Sequence, residues 1–182
     1  MTLINAELHR LMGQRLDISE HLGLLRGLAC DADVKRIVEI GFRTGISATA
    51  LASSGKPVSS YDVADCSQAA ARLCQMTVNF EFHRADSLKA TLPECDLLHI
   101  DSLHTYKQLR AELCRHHDQV TKWIALHDTT TFGSMSQDKT KPGLIQAIEE
   151  FLANEGKEWR ILLMLTNNNG FTVLQRASSM RP

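Results

Sequence analysis

The chain predicts a doubly wound α/β fold, a mostly parallel sheet with helices on both faces, closed at one edge by an antiparallel hairpin. Three observations predict it. Short apolar runs alternate with helix-like segments up to residue 128, the pattern of parallel strands joined by crossover helices. The first run, Arg36-Ile37-Val38-Glu39-Ile40, enters a turn framed by Gly41 and Gly45 and leaves it in a helix of small residues. Near the end, Asn169-Gly170 lies between two apolar runs, a strong hairpin signal.

The elements follow in order. Residues 3–30 read as helical, with Leu8, Leu11 and Met12, then Ile18, Leu22 and Leu25 at helical spacing. We expect residues 1–30 to pack on the core and to cover a ligand site or a partner. Residues 31–176 form the main domain, and 177–182 a frayed tail. Strands are predicted at 36–40, 58–62, 78–83, 95–100 and 123–126. Residues 129–142 are polar and long for a strand-to-helix connection, which suits a lid or a mobile segment. Leu144–Ala153 is a clean amphipathic helix, and Arg160–Leu165 with Phe171–Leu174 form the closing hairpin. That brings the sheet to seven strands. No internal repeat is visible.

Composition bounds the function. The chain has 182 residues, enough for one domain with a single core. Formal charge is −1 and no basic run exceeds two residues, so no electrostatic footprint for nucleic acid appears. The five cysteines are scattered without a Cys-x-x-Cys pair, against a disulfide framework or zinc site. No apolar stretch approaches the roughly 20 residues that span a bilayer. The N-terminus lacks a signal-peptide pattern. A cytoplasmic enzyme domain, with no membrane partner, is the expectation.

The glycine turn is shaped for close backbone approach to a ligand. A loop built for pyrophosphate wants N–H donors and no adjacent carboxylate. Glu39 at the strand end suits instead a ligand with a positive charge or free amine. Asp62 ends the second strand about twenty residues later, where an acid can accept from both ribose hydroxyls. Asp65 is a nearby substitute, and a solvated strand-end acid is the plain alternative. After the third strand, Asp86-Ser87 could reach an adenine or cap a helix, and both could hold at once.

The fourth strand ends in Asp101-Ser102-Leu103-His104-Thr105-Tyr106 and the fifth in His127-Asp128. Two strand ends in one parallel sheet place Asp101 and Asp128 at the same edge, where open α/β sheets bind ligands. Two carboxylates with a neighbouring histidine or water can hold Mg²⁺. Such an ion could bind substrate oxygens and acidify a hydroxyl, with His104 taking the proton. His127 is a candidate ligand but reads first as a positioning residue, because hard cations prefer oxygen; if it does bind, Mn²⁺ or Fe²⁺ gains ground. The alternatives are helix caps for the acids and a structural hydrogen bond for His104. His99 lies inside the strand and reads as a core histidine, and His116-His117 as a polar helix end.

Glu-x-Gly-x-x-x-Gly resembles motif I of the class I S-adenosylmethionine-dependent methyltransferases, with Arg43 where the middle glycine usually stands. Asp-x-x-His-x-Tyr and His-Asp resemble the macrocin- and cephalosporin-type O-methyltransferases, with Ser102 in place of their usual glycine. The resemblance covers roughly residues 20–176. It implies a Rossmann-like methyltransferase fold and S-adenosylmethionine as cofactor, held by Glu39, Gly41, Phe42, Gly45, Ser47, Asp62, Asp86, Ser87 and Asp101. It implies Mg²⁺ or another divalent cation at Asp101, Asp128 and His127, with His104 as base beside Asp101. The acceptor would be a hydroxyl of a small molecule or glycan. The chain has little material for a substrate cover, so either a large acceptor or a second subunit of a homodimer would complete the pocket. Two rivals are a metal-independent N- or RNA-methyltransferase and a non-catalytic cofactor-binding protein in which Arg43 and Ser102 mark decay.

Overall fold

The computed structural model describes residues 2–177. Its strands are β1 (Ile37–Ile40), β2 (Val58–Asp62), β3 (Phe80–Arg84), β4 (Cys95–Ile100), β5 (Val120–His127), β6 (Trp159–Leu165) and β7 (Phe171–Arg176). They form one sheet in the order β3-β2-β1-β4-β5-β7-β6. The first five are parallel, and β7 runs antiparallel between β5 and β6. The expected seven-stranded sheet with its closing hairpin is therefore present. In the hairpin loop Asn168, Asn169 and Gly170 all have positive φ, the region that Asn and Gly tolerate best.

The helices are α1 (Leu3–Met12), α2 (Leu22–Cys30), α3 (Ile46–Ala52), α4 (Ser67–Cys74), α5 (Tyr106–His116) and α6 (Leu144–Asn154). Alternation along the strands divides the core. Ile37, Leu97, Ala125 and Val173 pack under α1 to α4, with Leu22, Leu25 and Leu51. Val38, Leu98, Ile124 and Leu174 pack under α5 and α6, with Leu113 and Phe151. β1 is buried on both faces, as an inner parallel strand must be, so its central Glu39 is buried too.

Four expectations change. Residues 3–30 are two helices with a break, because the chain turns at Gly13 and a single 3-10 turn, Ser19–His21, starts the second half. The break lays Leu16–Ile18 over the carboxyl edge of the sheet, where Asn168 Nδ2 donates to Leu16 O at 3.0 Å and Asn168 Oδ1 accepts from Glu20 N at 3.0 Å. β3 starts two residues later than predicted, and β5 starts three residues earlier. No helix joins β3 to β4, only a turn at which Asp86 O accepts from Lys89 N and Ala90 N. Residues 129–142 carry no regular element but are tied down: Ser136 Oγ accepts from Tyr106 N and donates to Pro142 O, and Gln137 N donates to His104 O at 2.8 Å. Of the expected frayed tail, all but Ala177 lies outside the described residues.

Candidate active site

A cleft of about 1150 Å³ opens at the carboxyl ends of β1, β2 and β4. Gly41, Phe42, Ser47, Asp62, Asp86, Ser87, Asp101 and His104 line it, together with Arg43, Gln108 and the Arg15–Ile18 segment. Most of the residues expected to meet a cofactor are thus on one wall. Glu39 and Gly45 are not.

The glycine loop is set by crowding. Gly41 has φ +95°, and a Cβ there would lie 2.0 Å from Asp101 O, so β1 and β4 can approach only through glycine. At Gly45, φ +80°, a Cβ would meet the Phe42 ring at 2.9 Å. That ring turns away from the cleft and packs on Phe80 and Phe82. Gly45 therefore makes room for Phe42 and starts α3, and Phe42 offers a ligand its backbone. Arg43 keeps a positive φ of 48° where the motif usually has glycine. Its N–H donates to Asp62 Oδ2 at 2.8 Å, and its guanidinium reaches Asp17 at 3.2 Å in an exposed ion pair.

Glu39 corrects the sequence expectation. Parity along β1 turns it beneath α3, and its two oxygens accept from Ser47 Oγ and Ser60 Oγ at 2.5 Å each. It is fully buried and off the cleft wall; only Ser47 links it to the ligand side. Burial lifts its carboxyl to about 7, against the two serine hydrogen bonds that favour the charged form. Asp62 is on the wall and also accepts from Ala64 N at 2.9 Å. Asp65 instead accepts from Ser67 N and Oγ at the start of α4.

Asp86 caps its turn by accepting from Leu88 N at 3.0 Å and pairs with Lys89 at 3.1 Å. Ser87 Oγ donates to Glu112 Oε1 at 2.6 Å. Glu112 was missed from the sequence, although an acid between Leu109, Leu113 and His116 on one helix face is a visible oddity. Ser102 is its partner, donating to Oε2 at 2.7 Å. The serine that departs from the family pattern is thus part of a network. His116 and His117 are buried, contrary to a polar helix end, with His116 Nε2 on Ser87 O at 2.9 Å.

The ends of β4 and β5 bring Asp101, His104 and Asp128 together, with ligand atoms of all three within 4.8 Å of one another. His104 Nε2 lies 3.0 Å from Asp101 Oδ1 and 3.0 Å from Asp128 Oδ2. Its Nδ1 faces Gln137 Oε1 at 3.2 Å, and its ring stacks on Phe132 at 5.0 Å. The two carboxylates are acceptors, so Nε2 carries a proton. Burial opposes a positive charge on the ring, but the hydrogen bonds to Asp101 and Asp128 outweigh it and push His104 up to about 10. The same contacts, with His127, overcome burial at Asp101 and hold its carboxyl far below the usual range. In this arrangement His104 is a cation, where the sequence reading has a neutral base.

His127 is buried. Its Nε2 meets Asn168 O at 3.3 Å, while Nδ1 stands 3.6 Å from both carboxylates, beyond hydrogen-bond reach. It backs the cluster, behind Asp101 and Asp128. Burial lowers its basicity, but the Asp101 carboxylate raises it on balance. His127 Nδ1 and Asp128 Oδ1 are both buried without a partner. Asp128 also holds φ 60°, a strained conformation that tends to mark functional positions. Two carboxylates, one of them with an oxygen left unsatisfied, are a donor set that fits a divalent cation. His99 is a core histidine as expected, bonded through Nδ1 to Ala125 O at 3.1 Å and pushed down to about 4 by burial.

Solved structures resemble this one across nearly the whole chain. A Staphylococcus aureus protein assigned as a caffeoyl-CoA O-methyltransferase superposes with a TM-score of 0.73 at 15% identity, over 97% of this chain and 93% of its own. The Podospora anserina methyltransferase PaMTH1, with S-adenosylhomocysteine bound, gives 0.66 at 16% identity, over 97% and 88%. The N-methyltransferase NodS of Bradyrhizobium japonicum, also with that product, gives 0.63 at 16%, over 95% and 98%. The chain has the class I methyltransferase fold. No family model matches it, and no curated protein does. Among the described residues no helix is long and apolar enough to cross a membrane.

Proposed function

We propose that the chain transfers a methyl group from S-adenosylmethionine to a hydroxyl oxygen of a small-molecule or glycan acceptor, with a divalent cation at Asp101 and Asp128. The observation that carries this reading is the Asp101–His104–Asp128 cluster, two of whose members line the cleft that also holds the glycine loop and Asp62. The cleft volume of about 1150 Å³ accommodates a cofactor and part of an acceptor. The cofactor supplies an electrophilic sulfonium methyl. The cation supplies charge that lowers the acceptor hydroxyl's pKa.

The remaining work belongs to the chain. Asp62 keeps lone pairs for ribose hydroxyls while its hydrogen bonds to Arg43 N and Ala64 N fix its direction. Glu39 acts through Ser47, as a buried anchor for the loop. Phe132 and Gln137 hold the His104 ring in one plane. With a cation on the two carboxylates, His104 would release its Nε2 proton to solvent, and Nε2 could then accept the hydroxyl's proton while the bound cofactor would supply the methyl. Orientation of the reacting atoms supplies much of the rate.

The contacts of His104 also support a second reading, in which the imidazolium takes the cation's place and no metal is used. Calorimetry with S-adenosylhomocysteine, with and without Mg²⁺, tests both. Cofactor binding without metal, and Mg²⁺ binding that Asp128→Asn weakens roughly 100-fold, are expected. Absence of S-adenosylhomocysteine binding at millimolar concentration rejects the methyltransferase reading. Turnover indifferent to EDTA selects the metal-free one.

A further inference from the structure

One buried side chain dictates the polarity of the cleft wall between the loop after β3 and α5. Glu112 is fully buried on the inner face of α5. Its Oε1 accepts from Ser87 Oγ at 2.6 Å and from Gln108 Nε2 at 2.8 Å, and its Oε2 accepts from Ser102 Oγ at 2.7 Å. Burial raises its pKa, and these donors work against that. Ser87, Ser102 and Gln108 all line the cleft. An ionised carboxylate only accepts, so each partner turns a hydrogen toward it. Gln108 spends its amide nitrogen there and on Ser87 Oγ at 3.3 Å. Its Oε1 is the end left for a ligand. Turning the amide over would set that oxygen against Glu112 Oε1. Asp86, the acid expected to receive an adenine amine, is spent on Leu88 N and Lys89. Val63 and Ala85 add apolar area for the faces of a flat ring.

We infer that Gln108, held in one orientation by Glu112, accepts a hydrogen bond from the exocyclic amine of the cofactor's adenine, so that the site selects a 6-aminopurine over a 6-oxopurine. The inference rests on the cofactor reading above. A 6-oxopurine would bring its carbonyl against the amide oxygen and leave both unpaired. Gln108 is thus a specificity-determining residue, and Glu112 a positioning residue that acts through it.

Calorimetry compares S-adenosylhomocysteine with S-inosylhomocysteine, its deaminated 6-oxo counterpart. The wild-type protein should prefer the amino form on the order of 10–100-fold. Gln108→Leu removes the acceptor, and the preference should fall to within about threefold. Glu112→Gln can face Gln108 with either end, which frees the amide to turn, and the preference should collapse in the same way. A purely structural role for Glu112 would weaken both ligands together and leave their ratio unchanged. Gln108→Leu lies at a half-exposed position and keeps the test open where Glu112→Gln does not fold. Tight S-adenosylhomocysteine binding without discrimination, or an undiminished ratio in Gln108→Leu, overturns the inference. An undiminished ratio in folded Glu112→Gln overturns the part given to Glu112. Binding of neither ligand by the wild-type protein overturns the cofactor reading instead.

Discussion

The glycine-loop end of the cleft and the acid–histidine end are built on opposite principles. At the first, side chains are spent on one another. Glu39 is taken by Ser47 and Ser60, Asp62 holds two backbone N–H groups, and Asp86 caps its own turn. A ligand there meets backbone and leftover lone pairs. At the second end, side chains converge with atoms to spare, as the unpartnered Asp128 Oδ1 and His127 Nδ1 show. The first end should therefore tolerate changes of side chain and fail on changes of backbone. The second should do the reverse.

The largest effect is expected from Gly41→Ala. Its Cβ would stand 2.0 Å from Asp101 O at φ +95°, so β1 and β4 must separate and both ends of the cleft are lost. Thermal melting should show a loss of roughly 4 kcal/mol or no folded protein at all. Gly55→Ala is the control: its φ is +78° but nothing lies within 4 Å of the new Cβ. It should cost only about 1–2 kcal/mol of backbone strain. Equal losses in the two variants would mean that the crowding at Gly41 is relieved cheaply.

At the other end, His104→Ala should leave S-adenosylhomocysteine affinity nearly intact, while the metal-free variant loses the stability that the imidazolium lends the two carboxylates. It should lower turnover of a hydroxyl acceptor roughly 10²–10⁴-fold, the usual worth of acid–base catalysis. The rate of the wild-type protein should rise with pH as His104 loses its proton. Without metal that limb lies near the group's own value of about 10, and Mg²⁺ should draw it lower. A variant that keeps both rate and limb would make His104 structural.

The two ends also titrate in different windows. His104 is raised from 6.5 to about 10 in the folded chain. Its contribution is complete below the unfolded value and is lost as pH rises through the folded one. Metal-free protein should therefore lose melting temperature between pH 6.5 and 10, and His104→Gln should flatten that fall. Glu39 is raised from 4.5 to about 7, so its contribution is lost in the lower window as pH climbs from 4.5 through 7. Glu39→Gln should flatten the lower window alone. If either variant flattens both, the ends are coupled through Asp101, whose charge acts on Glu39 as well.

The contrast also explains what could be read from the sequence. Strands announce themselves by apolar runs, and β2 and β4 fall where the runs place them, at Val58–Asp62 and Cys95–Ile100. Asp101, His104 and Asp128 could be brought to one edge because adjacent parallel strands end there. The charge state of His104 could not, since it depends on two carboxylates both coming within 3.0 Å of one nitrogen. Parity along β1 turns Glu39 beneath α3, but only tertiary packing decides that Ser47 and Ser60 take its lone pairs. The break before α2 was hidden because Ile18 continues the apolar spacing of a helix while it serves the cleft rim. Glu112 was legible as an acid among apolar positions, and its partners were not.

Glu39→Gln makes the smallest and sharpest test of the comparison. A carboxylate touching the cofactor's amino group would lose roughly 1.5–3 kcal/mol of binding on this change, the worth of a charge-assisted hydrogen bond. The structure places both oxygens on serines, away from the cleft wall. Only a shift relayed through Ser47 remains, so the expected loss is about 1 kcal/mol or less, less than tenfold in affinity. The loss should come with a small change in melting temperature, because a glutamine must turn an N–H₂ toward one of two hydroxyls that now donate. Ser60→Ala should reproduce the stability change without touching the affinity, since Ser60 does not reach the cleft. Ser47→Ala should reproduce both. An affinity loss of the full 1.5–3 kcal/mol in Glu39→Gln alone would put its carboxylate in contact with the ligand. The glycine-loop end would then recognise charge directly, as the acid–histidine end does, and the distinction between the two would fall.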